Sequence, residues 1–149
     1  AFQTVTLQES AMEPTYSVGE KFFVNRALYK FSSPKRGDVI VFKTSASDSA
    51  ALHIRRVIGL PGETVQVKDG QVYINGKVYE ENGAYQDMTD GGLADSAVTL
   101  ESGEYFVLGD NRNNSEDSRF SDIGNINKKY IVGKIWFTVS PKNKIGFIK

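Results

Sequence analysis

Short stretches in which apolar and polar residues alternate recur along most of the chain. Residues 2–7 (FQTVTL) alternate, as does part of the stretch at 21–25 (KFFVN). A period of two places successive side chains on opposite faces of a strand. Residues 38–43 (DVIVFK) and 53–60 (HIRRVIGL) are rich in β-branched side chains and predict two further strands. The pattern therefore predicts a mainly β protein.

The clearest local signal follows Pro61-Gly62. Alternating stretches there are separated by Asp69-Gly70 and Asn75-Gly76. Both dipeptides favour positive φ, as tight hairpin turns require, so they predict a three-stranded meander. Residues 81–99 are polar and contain several glycines, and they predict a long excursion on the same small subdomain.

The strand pattern returns at residues 104–110 (EYFVLGD) and 129–141 (KYIVGKIWFTVSP), and residues 122–129 predict a short helix or turn. The predicted fold class is mainly antiparallel β, with a smaller inserted β subdomain. The core is expected to comprise about residues 1–60 and 104–149. The inserted subdomain is expected to comprise about residues 63–103.

Composition narrows the possible functions. A chain of 149 residues suits one domain. Lysine plus arginine and aspartate plus glutamate both number 18, so no broad basic field favours nucleic acid. Cysteine is absent, which removes disulfides, thiolate catalysis and cysteine-bound metals. The single histidine, His53, argues against a histidine metal cluster or a Ser-His-Asp triad. We expect no metal and no cofactor.

No segment approaches the roughly 18 apolar residues of a membrane span. The chain begins AFQTVTLQES, without an initiator methionine and already in a predicted strand. We interpret this start as a truncation or processing point, which leaves room for an upstream membrane anchor.

Four stretches occur in the order found in the type I signal peptidases: AMEPT at 11–15, RGDVIVF at 36–42, RRVIGLPGE at 55–63 and GDNRNNSEDSR at 109–119. The chain resembles the extracytoplasmic domain of that family, most closely its Gram-positive members. The resemblance implies a β-fold shared with the self-cleaving repressors and an N-terminal membrane anchor. It also implies removal of signal peptides at the extracytoplasmic face of the cell membrane.

Members of this family use a serine–lysine dyad, in which serine attacks the scissile carbonyl and a neutral lysine takes its proton. The resemblance places Ala11 at the nucleophile position and Arg55 at the general-base position. Alanine offers no nucleophile, and arginine cannot serve as a base because its guanidinium stays protonated at any working pH. Ser10 becomes an alternative nucleophile only if the frame shifts by one residue, which in a strand turns the side chain to the opposite face. It would still lack the lysine.

Other positions of the motifs carry roles that the resemblance implies. Ser115 orients the lysine in the family, and here it could instead hydrogen-bond the Arg55 guanidinium. Asp117 and Arg119 are expected to form a structural ion pair beneath the site. The neighbouring Asp110, Asn111 and Arg112 are expected to hold a tight turn.

The candidate substrate-binding residues are Glu9, Met12 and Pro14. Met12 and Pro14 shape the entry to the site, and a local packing role is the alternative for both. Glu9 lies where some family members carry an oxyanion-hole hydroxyl, and a carboxylate there would oppose the developing oxyanion. A buried Arg55 needs a partner, and Glu9, Asp117 or a bound carboxylate could supply it. An extended peptide is expected to bind by strand addition along the edge near residues 9–12.

The resemblance and the missing dyad together favour a catalytically inert domain that acts as an accessory factor in pilus assembly at the outer face of the membrane. Its expected partners are signal peptides or pilin-type precursors and sortase-linked pilus machinery. The alternative is a serine endopeptidase that removes signal peptides, disarmed by substitution at position 11 or active through Ser10. A self-cleaving regulator would need a cleavable segment and its own dyad, and neither is recognisable in the sequence.

Overall fold

A computed structural model describes residues 2–149 and shows two antiparallel β-sheets. Among these residues, eight strands form the larger sheet and four form the smaller one. The strands of the larger sheet are β1 (Phe2–Thr6), β2 (Lys21–Asn25), β3 (Val39–Phe42), β4 (His53–Gly59), β9 (Glu104–Leu108), β10 (Ile126–Asn127), β11 (Ile131–Ser140) and β12 (Gly146–Phe147). Those of the smaller sheet are β5 (Thr64–Lys68), β6 (Gln71–Ile74), β7 (Lys77–Val78) and β8 (Val98–Thr99).

The larger sheet has the order β1-β2-β11-β3-β4-β9-β10, with β12 paired to β11. The long strand β11 lies between β2 and β3 and is antiparallel to both. Inward-facing residues such as Phe22, Val41 and Ile135 are buried in one apolar cluster on this sheet. A second cluster, which includes Val65 and Phe106, packs the smaller sheet against β9. The predicted mainly antiparallel fold with a small second sheet is confirmed.

The predicted meander is also confirmed. Asp69 and Gly70 have φ values of 52° and 77°, and Asn75 and Gly76 have 51° and 80°. These two turns connect β5 to β6 and β6 to β7. The excursion that follows contains a 3-10 helix and ends in β8, which pairs with β5. The local sequence pattern did not reveal β8. A strand of only two residues is too short to show alternation and is recognised by its pairing with a neighbouring strand.

Short helical elements interrupt the strand pattern of the larger sheet. One α-helix, α1 (Leu28–Phe31), follows β2. A 3-10 helix at Ser10–Met12 occupies the region predicted as a strand edge, so that prediction is wrong. The region 122–129, predicted as a short helix or turn, contains a turn, then β10 and the start of the 3-10 helix Lys128–Tyr130. A further 3-10 helix, Lys142–Lys144, precedes β12. No helix within residues 2–149 has the length and apolar character needed to span a membrane.

Candidate functional site

Most of the predicted site residues meet at a cleft of about 470 Å³. It lies where the 3-10 helix Ser10–Met12 approaches β4 and the loop after β9. The lining residues are Glu9, Ser10, Ala11, Arg55, Thr89, Asp90, Arg112, Asn113, Asn114, Ser115, Glu116, Arg119 and Phe120. The cleft is therefore lined by several residues of the last motif and by the opening residues, Ala11 and Arg55, of two others.

Asn111 holds the helix Ser10–Met12 in place. Its backbone N–H donates to the Ala11 carbonyl at 2.9 Å, and its side-chain Nδ2 donates to the Ser10 carbonyl at 3.1 Å. The residue was predicted only to hold its own turn. The hydrogen bond from its side chain joins residues 101 positions apart, so no local sequence pattern could reveal it.

Gly109 allows the same two segments to approach closely. A Cβ added there would lie 2.1 Å from the Ser115 hydroxyl oxygen and 2.5 Å from the Ala11 carbonyl oxygen. Both distances are far below van der Waals contact, so only glycine fits without movement of the backbone. The glycine therefore allows Ala11 and Ser115 to lie close together.

Arg55 is fully buried, and its guanidinium is paired, as predicted. Its two terminal nitrogens donate to the Glu9 carboxylate at 3.1 and 2.9 Å, in a bidentate arrangement. Its Nε donates to the Glu116 carbonyl at 2.8 Å, and one terminal nitrogen also donates to the Ile54 carbonyl at 2.8 Å. These contacts compensate for removing a charge from water.

Glu9 connects Arg55 to the single histidine. The Nδ1 atom of His53 lies 3.1 Å from a Glu9 carboxylate oxygen. Partial burial of Glu9 opposes its ionisation, but hydrogen bonds and charge interactions with His53 and Arg55 prevail and lower the pKa of Glu9 to about 2. Glu9 is therefore an anion of low basicity at neutral pH, and it neutralises Arg55.

Ser115 does not bond Arg55, so that prediction is wrong. Its hydroxyl donates instead to the buried carboxylate of Asp117 at 2.8 Å. The predicted ion pair between Asp117 and Arg119 is confirmed, with Arg119 Nε 2.9 Å from Asp117. The Gly109 N–H donates to the same carboxylate at 3.1 Å, which leaves Asp117 little freedom to turn towards the cleft.

Asp110 and Arg112 anchor their loop to other elements. Asp110 accepts two hydrogen bonds from Arg56 of β4, at 2.8 and 2.7 Å. Arg112 donates two to Glu81 of the excursion, at 2.7 and 2.6 Å, and its guanidinium lies 4.0 Å from the centre of the Tyr85 ring. The partners on β4 and the excursion were not predicted, because they are far from the motif in sequence.

Two predicted substrate-binding residues lie elsewhere. Met12 is fully buried in the apolar cluster of the larger sheet, which agrees with the packing alternative and places its side chain away from the cleft. Pro14 is exposed but does not line the cleft. The first motif therefore contributes Ala11 to the cleft, while Met12 packs in the core.

The chemistry of the cleft follows from these positions. Ala11 presents a methyl group where a nucleophile is expected. Among the described residues, the Ser10 hydroxyl has one hydrogen-bond partner, the Asn114 amide at 3.4 Å, and that partner is not a base. No group of three or more His, Asp or Glu side chains within residues 2–149 could hold a metal ion. The lining of the cleft is mainly polar, and none of the described residues that line it is a lysine.

Comparison with known proteins places the chain among peptidases. Residues 1–140 match the family described as signal peptidase, peptidase S26. The chain is 40% identical over 146 residues to signal peptidase I of Leptolyngbya laminosa, covering 94% of this chain and 70% of that protein. It is 34% identical over 151 residues to signal peptidase I of Bacillus licheniformis, covering 97% of this chain and 80% of that protein.

The fold has a similar counterpart among solved structures. A signal peptidase I from Enterococcus faecalis V583 aligns with a TM-score of 0.52 and 33% identity, covering 68% of this chain and 95% of that one. The predicted fold type is therefore confirmed. The chain spans 65% of the length of a relative from Synechocystis and 82% of the length of one from Bacillus subtilis subsp. natto.

Proposed function

This chain belongs to the signal peptidase family, peptidase S26, and from that premise we propose that its cleft binds signal-peptide segments of precursor proteins without cutting them. The observation that carries the proposal is the state of the two dyad positions. Ala11 has no nucleophile, and Arg55 is a buried cation neutralised by Glu9. The rest of the family's frame surrounds these two positions.

The pairing of Glu9 with Arg55 supports binding over catalysis. A guanidinium cannot accept a proton from a serine at working pH. A carboxylate with a pKa of about 2 is also a poor proton acceptor. The cleft nevertheless carries hydrogen-bonding groups on both sides, for example Ser10 and Asn114. These groups could hold the backbone of an extended peptide.

The relatives favour signal-peptide precursors as the bound class. The proteins from Leptolyngbya and Bacillus are named signal peptidase I. A narrower role as an accessory factor in pilus assembly, with pilin-type precursors and sortase-linked machinery as partners, rests on the missing dyad alone. In either role we place the domain at the extracytoplasmic face of the cell membrane.

A second function is favoured by the relatives' names. The chain would be a signal-peptide endopeptidase disarmed at position 11, or one that acts through Ser10. The first form requires that the unaltered protein has a serine at position 11. It also requires that the ion pair between Arg55 and Glu9 does not prevent catalysis. The second requires a base for Ser10, whose hydroxyl contacts only Asn114 among the described residues.

The test measures binding and cleavage of one synthetic signal peptide with small residues before the expected cut. The unaltered chain should bind it, detected by fluorescence anisotropy, and should leave it intact by mass spectrometry. Replacing Asn114→Trp in the cleft should weaken binding at least about tenfold, the effect of losing about 1.4 kcal/mol. Asn82→Trp, an exposed position that does not line this cleft, is the matched control.

Each outcome distinguishes the functions. Binding without cleavage, lost in the cleft variant only, supports the proposal. Specific cleavage that disappears in Ser10→Ala would establish the endopeptidase acting through Ser10. Equal binding by both tryptophan variants would exclude this cleft as the binding site. If a signal peptide fails to bind and a pilin precursor binds at the same cleft, the narrower pilus role replaces the broader one.

A further inference from the structure

A second cleft, on the larger sheet, is lined by five cationic side chains. It has a volume of about 680 Å³. Its cations are Arg26, Lys30, Lys43, Lys128 and Lys129. We call it the basic cleft. None of its lining residues is acidic, although lysine plus arginine and aspartate plus glutamate are equal in number over the whole chain.

Sheet topology explains why these charges converge. Strand β11 is antiparallel to β2 and β3 and lies between them. The end of each neighbour therefore meets the start of β11. Arg26 follows β2, Lys43 follows β3, and Lys128 and Lys129 precede β11. The helix α1, which carries Lys30, begins two residues after Arg26.

The five cations have no ion-pair partner in the part of the chain that the structure describes. Arg26 donates to the neutral side chain of Gln3. The Lys128 ammonium donates to the Ser32 carbonyl and the Ser33 hydroxyl, both at 3.2 Å. By contrast, Arg36, Arg55, Arg56, Arg112, Arg119, Lys134 and Lys144 pair with carboxylates elsewhere in the protein.

Unpaired like charges in one concavity repel one another, which makes a bound anion favourable. A single carboxylate would neutralise one of five cations. A phosphate group carries up to two charges and several strong acceptor oxygens, and both lysine and arginine bind it well. We propose that the basic cleft is a binding site for phosphate-bearing polyanions, separate from the cleft lined by Ala11 and Arg55.

Phe31 bears on where the phosphate comes from. It belongs to α1, next to Lys30, and its side chain is 90% exposed. An exposed aromatic ring beside lysines suits the boundary of a bilayer, where the ring enters the acyl region and the ammonium groups meet lipid phosphates. A soluble phosphate polymer would make no use of the ring. Phe31 therefore distinguishes the two sources of the same chemistry.

The experiment uses the whole chain and two probes. Inorganic tripolyphosphate is titrated by calorimetry, and vesicles of mixed phosphatidylglycerol and phosphatidylcholine are tested by sedimentation. Lys30→Gln/Lys129→Gln should weaken binding about thirtyfold, since each lysine near an anionic surface contributes about 1 kcal/mol and about 1.4 kcal/mol is a factor of ten. Lys68→Gln/Lys77→Gln removes the same charge from exposed positions on the smaller sheet and is the matched control.

The variant Phe31→Ser distinguishes the two sources of phosphate, lipid headgroups and a soluble compound. If this variant weakens vesicle binding and leaves tripolyphosphate binding intact, lipid headgroups are the source. If tripolyphosphate binds and vesicles do not, the source is a soluble phosphate compound. The proposal is overturned if neither probe binds at low salt, or if the control pair weakens binding as much as the cleft pair. Equal binding to vesicles of phosphatidylcholine alone would also overturn it.

Discussion

Glu9 should decide whether a serine and a lysine introduced at positions 11 and 55 can cleave a signal peptide. The obvious repair, Ala11→Ser/Arg55→Lys, returns the two residue types of the dyad. It leaves the Glu9 carboxylate where it now receives two hydrogen bonds from position 55. We expect this double variant to remain nearly inactive, and the triple variant that adds Glu9→Gln to cleave a signal peptide.

The magnitude follows from the two environments of a lysine at position 55. Burial must lower the lysine pKa from about 10.4 to about 7.4, a cost of about 4 kcal/mol, if it is to be neutral near pH 7.5. An anion about 4 Å away stabilises the ammonium by about 4 kcal/mol at an effective dielectric constant of about 20. The two effects cancel, so the lysine beside Glu9 keeps a pKa near 10.4.

The neutral fraction of the lysine sets the expected ratio of rates. At pH 7.5 it is about one in a thousand beside the Glu9 carboxylate, and about one half in the triple variant, where Glu9→Gln has removed the anion. Cleavage should therefore be several hundred times faster in the triple variant. The assay is kcat/KM for the synthetic peptide in detergent, measured from pH 6 to 10. The double variant should gain activity up to the highest pH, and the triple variant should level off above about pH 7.5.

The control is Ala11→Ser/Arg55→Lys/Glu13→Gln, which removes a carboxylate that forms no ion pair in the described part of the chain. It should match the double variant at every pH. Equal rates for the double and triple variants near pH 7.5 would refute the reasoning, because Glu9 would then exert no control over the charge at position 55.

Three further predictions concern stability. Glu9→Gln alone should lower the free energy of unfolding by about 2 kcal/mol, less than the roughly 3–5 kcal/mol of a fully buried pair because the Glu9 side chain is 34% exposed. Urea unfolding measures this, and a loss no larger than that of Glu13→Gln would contradict it. The unaltered protein and Glu9→Gln should also converge in stability as the pH falls from 4.5 to about 2. The lowered pKa of Glu9 means that its contribution is complete above 4.5 and is lost as the folded carboxylate protonates; a constant difference across this range in urea unfolding would show that Glu9 is not the titrating group. Gly109→Ala should destabilise the protein by about 1–3 kcal/mol, because its methyl group would overlap the Ser115 hydroxyl. An unchanged melting temperature in calorimetry would mean that the loop moves freely.

The sequence alone determined the class of fold and the identity of the motifs. Alternation along β1, β2 and β5 to β7 is a local property, and the Asp-Gly and Asn-Gly turns need positive φ whatever surrounds them. The residue types at positions 11 and 55 were equally readable, because alanine cannot act as a nucleophile and arginine cannot act as a general base in any environment. These conclusions depend on residue types and near neighbours.

Only the tertiary structure decided which side chains meet. The pairs Glu9 with Arg55 and Asn111 with Ser10 join residues 46 and 101 positions apart. The sequence left Glu9, Asp117 and a bound ligand as equal candidates for Arg55, and it directed Ser115 to the wrong partner. Contacts of this kind depend on strand order, on register and on a 3-10 helix that interrupts the strand pattern. The basic cleft has the same origin, since its cations converge only because β11 lies between β2 and β3.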